Sequence, residues 1–308
     1  MTNVYHSTAR SNGLEEITKP KVGSWISLVE PKDSDLLALA KQLNLDEGLL
    51  NDALDIYEAP RIEHDEGNVY IYTRYCHPEG SEIATEPLLI VYTPDHLVTI
   101  MRGNFGVLNR LTSGYIDVTT TQKTKTLLQI LAEINSSYRT QLLKASKKTL
   151  QTRARIRQNE LSRREFVGII ELEEDLNEFL TALQPQSTVL NTLLNGRFIR
   201  LYEDDKDIIE DLRLDTFELI ELTKSRLKAL GNIRQAYDTI ATADLNQTFK
   251  RLTSIAIFIS IPTLVGGLWG MNVPVPLEQG KYSFFVILFM TVGIMATIVY
   301  IFHKKRWF

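Results

Sequence analysis

Two long stretches of this chain carry no charge, and they limit what it can fold into more than any other feature. Leu252 to Trp269 (LTSIAIFISIPTLVGGLW) holds 18 uncharged residues, and Tyr282 to Phe302 (YSFFVILFMTVGIMATIVYIF) holds 21. A helix needs about 20 apolar residues to cross the hydrocarbon core of a bilayer. Extended to Asn272, the first run reaches about 30 Å at the helical rise. A soluble core helix of that length would normally keep a polar face. Trp269, Tyr282, Tyr300 and Trp307 sit near the ends of the runs, where amphipathic rings favour the membrane interface. Of 34 basic and 38 acidic residues, only Glu278 and Lys281 fall between Leu252 and Phe302. The mean hydropathy of −0.10 therefore averages a polar body with an apolar end. Two transmembrane helices are expected, with the lipid bilayer as a partner.

The short flanks orient them. Lys250 and Arg251 precede the first span and Lys304, Lys305 and Arg306 follow the second, while the loop Val273 to Lys281 carries one acid and one base. An excess of Lys and Arg marks the cytoplasmic side, so both termini are expected inside, with a multi-pass protein in the plasma or inner membrane. Residues 1–251 keep 30 of the bases and 37 of the acids, a net −7. An acidic body argues against nucleic acid as a partner. The single cysteine, Cys76, excludes a disulfide framework and fits a reducing compartment. Met1 to Gly13 has no apolar h-region, so no cleaved signal peptide is expected.

Residues 1–122 read as a cytoplasmic α/β domain. Strands are expected at Val22–Val29, Val69–Tyr75, Leu88–Tyr92 and His96–Met101, with turns at Asp65-Glu66-Gly67 and Pro94-Asp95. Short helices are expected at Asp33–Leu45 and Asp46–Asp55. Residues 123–204 read as a long-helix hairpin: Lys123–Glu160, then Arg163–Leu183, a break at Gln184-Pro185, and a short helix Val189–Asn195 ended by Gly196. The first helix is basic (Lys144, Lys147, Lys148, Arg153, Arg155, Arg157) and the second acidic (Glu171, Glu173, Glu174, Asp175, Glu178). The contrast reads either as pairing across the hairpin or, the favoured reading, as two solvated faces whose pairs each contribute under about 1 kcal/mol. Residues 205–251 read as a stalk helix entering the first span (252–272), with Gly231 its weak point. An external loop (273–281), the second span (282–302) and a basic cytoplasmic tail (303–308) complete the chain. Such a stalk needs neighbours or copies of itself to be stable.

Gly270-Met271-Asn272 sits where the first span meets the outer face. With Lys250 to Asn272 (KRLTSIAIFISIPTLVGGLWGMN), it resembles the CorA magnesium channel family, in which this triplet closes the penultimate of two C-terminal spans. Trp269 and Val273-Pro274 replace the aromatics that usually flank the triplet, a departure expected to alter loop packing more than the site. The resemblance implies a homopentameric funnel, Mg2+ as transported and regulatory ion with Co2+ or Ni2+ as possible substrates, and no organic cofactor. It implies a selectivity ring at Gly270, Met271 and Asn272. Magnesium sheds its water reluctantly, so neutral Asn272 amides can accept hydrogen bonds from bound water without holding the ion too long. Gly270 leaves its carbonyl unobstructed, and Met271 reads as an apolar anchor for the turn.

Steps of three and four back from the triplet trace one helix face: Gly267, Thr263, Ser260, Ala256, Leu252, Phe249, Leu245, Thr242 and Asp238. Its upper part is small or hydroxylated and suits a pore lining for a hydrated ion. Leu245, Phe249 and Leu252 read either as a hydrophobic gate or as packing between stalks. Asp238 reads either as a carboxylate ring below the gate or as a solvated stalk acid, and Glu278 either as a cation-attracting residue at the mouth or as an ordinary loop acid. In the family, acids between neighbouring cytoplasmic domains bind regulatory magnesium. Asp204, Asp205, Asp207, Glu210, Asp211 and Asp238 are the candidates by composition, although an acidic first turn also suits a helix N-terminus.

His6, His64, His77, His96 and His303 lack metal-ligand spacing and no glycine-rich phosphate loop occurs, so an enzyme is not expected. A passive, potential-driven Mg2+ channel gated by internal Mg2+ is the expected function. A divalent ion gains about 4.6 kcal/mol per 100 mV of inside-negative potential. The rivals are a proton-coupled, ZntB-like zinc transporter and a membrane-anchored coiled coil.

Overall fold

The computed structural model describes residues 2–11, 13–79, 82–103, 106–157, 162–273 and 280–305. The expected loop site Glu278 and the tail residues Arg306 and Trp307 lie outside them. The chain divides into two compact units, 1–233 and 234–308.

The first unit is built on a mixed seven-stranded sheet in the order β2-β1-β3-β7-β6-β5-β4. Its strands are β1 (Thr2–His6), β2 (Glu15–Ile17), β3 (Trp25–Val29), β4 (Arg61–Asp65), β5 (Asn68–Glu79), β6 (Glu82–Tyr92) and β7 (Leu97–Met101). Only β3 and β7 pair in parallel. Glu66 and Gly67 both take positive φ (45° and 84°) in the two-residue turn that joins β4 to β5 and pairs Asp65 with Asn68.

Alternate side chains along the strands feed two cores. Ile26, Leu28, Tyr70, Tyr72, Leu89, Val91, Val98 and Ile100 pack with Leu36, Leu39, Ala40 and Leu50 of α1 (Asp33–Leu43) and α2 (Glu47–Asp52) and with Ala53 just after α2. After a short α3 (Asn109–Thr112), α4 (Lys123–Arg157) and α5 (Arg163–Leu194) cover the other face over β5 and β6. The Asp46 carboxylate accepts the Leu49 N–H (2.8 Å) to start α2, and Ser162 and Glu165 form a reciprocal capping box at α5.

Three strands are absent from the expected set. β4 (RIEHD) is a charged edge strand, β2 has three residues, and β1 lacks a long apolar alternation. The expected break at Gln184-Pro185 is corrected, because α5 runs through Pro185 to Leu194. Proline removes one backbone bond there. Burial on both sides offsets it: Leu183, Gln186, Val189 and Leu190 are all buried, and Gln186 pairs with Thr73 of the sheet. Of the hairpin charges, Arg155 pairs with Glu165, while Glu178 turns to the sheet and accepts the Thr85 N–H at 3.1 Å.

His96, just before β7, is half-buried. Desolvation pulls its pKa below the usual histidine value, opposed by Asp95 and reinforced by Lys123. Below about pH 6.5 the unfolded chain takes up a proton that the folded chain resists. Stability contributed by neutral His96 is therefore present above that pH and lost as pH falls. Replacing His96 by Gln should flatten the decline of thermal stability between about pH 7 and 5; an unchanged slope in a melting series would refute this.

α6 (Glu203–Trp269) begins in the first unit and is unbroken at Gly231. It starts two residues before the expected Asp205, whose carboxylate accepts the Tyr202 N–H (3.0 Å) as part of the cap. Buried Asn135 of α4 anchors it by donating to the Leu212 carbonyl (3.3 Å) and Thr216 hydroxyl (3.0 Å). Arg139 adds ion pairs to Asp215 and Glu218.

Candidate ion pathway

The second unit contains the rest of α6, the residues after it, and α7 (Ser283–Lys304). Both helices carry windows long and apolar enough to span a bilayer, and almost none of that surface is buried within one chain. What is buried falls into stripes. On α6, Ser254 and Val265 are buried and Ile257, Phe258, Ile261 and Trp269 are partly covered; on α7, Thr291 is buried and Ile287, Met295, Ile298 and Phe302 are partly covered. The stripes meet at Phe258 and Phe302, with ring centroids 6.1 Å apart.

The stripe expected to line a pore lies elsewhere. At about 100° per residue its centre falls roughly 160° around α6 from the stripe that meets α7. Asp238, Thr242, Leu245, Phe249, Leu252, Ala256, Ser260, Thr263 and Gly267 are all exposed. One face of the helix is thus committed to α7, and the opposite face carries the small and hydroxylated residues.

The hydroxyls are pre-oriented. Ser260 donates to the Ile257 carbonyl (2.9 Å) and Thr263 to the Ile259 carbonyl (3.0 Å). Their hydrogens are used, so their oxygens present lone pairs outward and can accept from the water shell of a cation. Pro262 has no N–H for the Phe258 carbonyl, a loss that membrane helices tolerate.

α6 ends at Trp269, three residues before the expected boundary of the span. Gly270 still donates to the Gly266 carbonyl at 3.0 Å, and Met271, Asn272 and Val273 then leave the helix, all exposed. A Cβ on residue 270 would stand 3.1 Å from the Gly266 carbonyl oxygen, so glycine is favoured here by close backbone approach. Gly266 was not singled out from the sequence, where the search followed the stripe through Gly267; the Gly-Gly pair itself was the available signal. The face toward α7 was also missed, although its apolar residues recur at the same spacing half a turn away.

The candidate regulatory acids do not converge within one chain. Asp204, Asp207, Glu210, Asp211 and Asp238 are exposed, Asp205 is buried at the helix cap, and Glu203 pairs with Lys206 at 2.8 Å. Among the described residues no three His, Cys, Asp or Glu side chains are grouped to hold a metal.

The family model "CorA-like Mg2+ transporter protein" matches residues 20–305. The chain belongs to the CorA family. It is 26% identical over 298 residues to the cobalt/magnesium transport protein CorA of Methanocaldococcus jannaschii, covering 92% of this chain and 90% of that one. The complete structure of the CorA magnesium transporter from that organism matches with a TM-score of 0.87 at 24% identity, over 100% of this chain and 99% of the other. The cytoplasmic domain of ZntB from Vibrio parahaemolyticus matches with a TM-score of 0.64 at 9% identity, over 78% of this chain and 98% of that one, a likeness of fold alone. Membership in the CorA family confirms the resemblance carried by Gly270-Met271-Asn272 and the expected architecture: an α/β domain, a long helix and two C-terminal apolar helices.

Proposed function

We propose that copies of this chain assemble, as a pentamer, around the exposed stripe of α6 and conduct hydrated Mg2+ inward down the membrane potential, with Co2+ or Ni2+ as further substrates. The observation that carries this reading is the division of labour on α6. The stripe opposite α7 is small and hydroxylated, with acceptor oxygens at Ser260 and Thr263, and is continued past the helix end by exposed Asn272. An anchor would have no use for such a face.

In this reading the water shell of the ion donates to the Asn272 amide and then to Thr263 and Ser260, so the ion keeps its inner waters. Gly267 and Ala256 leave room for that shell. Residues 252–272 and 282–302 form the spans, 273–281 faces outside, and residues 1–251 with the tail from 303 lie in the cytoplasm of a cell-membrane protein. Residues 1–122, 123–204 and 205–251 act as its α/β, hairpin and stalk segments. Transport needs no catalysis and no organic cofactor. Internal Mg2+ bridging acids of neighbouring copies, with Asp204, Asp207 and Asp238 as the free candidates, would hold the closed state. A metal on Asp205 would have to compete with its capping bond.

Leu245, Phe249 and Leu252 are each more than half exposed on one chain. Brought together around an axis they form a constriction that closes by dewetting. Phe249→Ser should wet it, so Mg2+ entry should persist at internal Mg2+ levels that silence the wild type. Identical shut-off curves would reassign these residues to packing.

The reading is tested by loading proteoliposomes with a magnesium dye or a zinc dye and imposing a potential alone or a pH gradient alone. Mg2+ entry on potential alone is expected. Proton-coupled zinc transport is the second reading, and Zn2+ entry that requires the pH gradient would replace the first. Absence of any flux would leave a membrane anchor.

A further inference from the structure

Among the described residues, three that are not glycine take positive φ: Asn44, Glu66 and Glu30. Asn44 closes α1 and Glu66 turns the β4–β5 hairpin, both ordinary uses of that conformation. Glu30 (φ 51°) does neither. It follows β3 and precedes Pro31, in a backbone conformation that strains an L side chain. Its N–H donates to the Met101 carbonyl at 2.9 Å, which ties the end of β3 to the end of β7. Strain of this kind persists where the surroundings hold it, and such positions gather at ligand sites.

The place in the sheet points the same way. β3 and β7 are its parallel pair, and the chain leaves them to opposite faces. After β3 it passes to α1, on the face of Ile26 and Leu28. After β7 it passes to α3, on the face that carries Ser27 and Val29. Adjacent parallel strands whose connections part in this way leave a crevice at their carboxyl ends, which is where open α/β sheets take ligands. Here the crevice is a cavity of about 360 Å3, within the size range of small-molecule sites.

The lining selects a chemistry. Among the described residues around the cavity Glu30 alone is charged, and it belongs to no ion pair. Thr112 donates its hydroxyl hydrogen to the Leu108 carbonyl (3.3 Å), and Asn3 donates an amide hydrogen to the Tyr5 hydroxyl (3.2 Å). The Thr112 hydroxyl oxygen and the Asn3 carbonyl oxygen are left to accept. Ser27 is buried against the cavity, and its hydroxyl makes no hydrogen bond among the described residues. Val29, Met101, Val107 and Leu108 add apolar wall. One carboxylate among neutral acceptors suits a group that only donates, and an ammonium has three donors and no acceptor. A divalent metal ion would call for more oxygen ligands and leave the apolar wall unused. We propose that this cavity binds a short aliphatic amine, its ammonium on the Glu30 carboxylate and its chain along Val29, Met101 and Leu108. Every group named lies within residues 3–112, so the inference stands apart from the ion pathway and from the identity of the transported ion.

The test titrates 1-aminobutane, or the neutral 1-butanol, into the full-length protein in detergent at neutral pH and follows the heat of binding. The wild type should bind the amine and not the alcohol. Glu30→Gln keeps the length of the side chain and removes its charge. It should weaken amine binding by at least about tenfold, the lower end of what a charge-assisted hydrogen bond contributes. Glu30→Gly, which suits the positive φ, should lose the amine yet unfold at no lower temperature than the wild type, which separates loss of ligand from loss of fold. Equal binding of amine and alcohol, or amine binding that Glu30→Gln leaves unchanged, would overturn the proposal. So would a wild type that does not bind the amine, and Mg2+ binding that Glu30→Gln abolishes in such a protein would assign the cavity to a metal instead.

Discussion

Asn272→Ala should lower Mg2+ flux in proteoliposomes by at least about tenfold while leaving the detergent-solubilised assembly at its wild-type size. Asn272 lies beyond the last helical residue and is exposed, so its amide makes no contribution to packing that alanine would remove. The substitution deletes an acceptor for the water shell of the ion. Hydrogen bonds involving a charged partner contribute about 1.5–3 kcal/mol, and about 1.4 kcal/mol corresponds to a factor of ten. Asn272→Asp separates geometry from charge: a carboxylate still accepts from water but holds the cation longer, so apparent affinity should rise while maximal flux falls. Wild-type flux in Asn272→Ala would remove this residue from the pathway.

Phe179→Ala should destabilise the first unit by about 3–5 kcal/mol, a large share of the roughly 5–15 kcal/mol that holds a typical domain folded. Phe179 of α5 is fully buried and meets the edge of Tyr138 on α4 with ring centroids 5.1 Å apart. The Tyr138 hydroxyl donates to the Arg74 carbonyl of β5 at 3.1 Å, so the pair joins both long helices to the sheet. Aromatic pairs add about 0.5–1.5 kcal/mol beyond area burial. Thermal unfolding followed by circular dichroism in detergent should show the first transition at lower temperature. A transition that stays in place would show that the hairpin is held elsewhere.

What could be read from the sequence followed the strength of the local signal. Both apolar runs, the long helices and β5 to β7 are legible because their patterns are long and apolar. β4 was hidden by its charges, which are what an edge strand needs, and α5 seemed to break because proline is a local signal that buried neighbours overrule. Within the pathway, the triplet and the stripe below it are legible because helical spacing is a property of one chain. The commitment of the opposite face to α7 is a tertiary fact. So is the anchoring of α6 by Asn135, which stands in the sequence among other polar residues, Glu133, Ser136 and Ser137, with nothing local to single it out.

The continuity of α6 has a consequence for how chains of this kind can vary in length. One helix, Glu203–Trp269, holds the Asn135-anchored Thr216, the bulky residues at 245–252 and the approach to Asn272, with no loop between them to absorb a change. Inserting one residue near position 240 would turn everything beyond it by about 100° relative to everything before it, carrying the hydroxylated face away from the line of Asp238 and Leu245. Seven residues, close to two full turns, would nearly restore the line. Insertions and deletions along this stretch are therefore confined to steps near seven, whereas surface loops outside the helices and strand pairs tolerate changes by single residues.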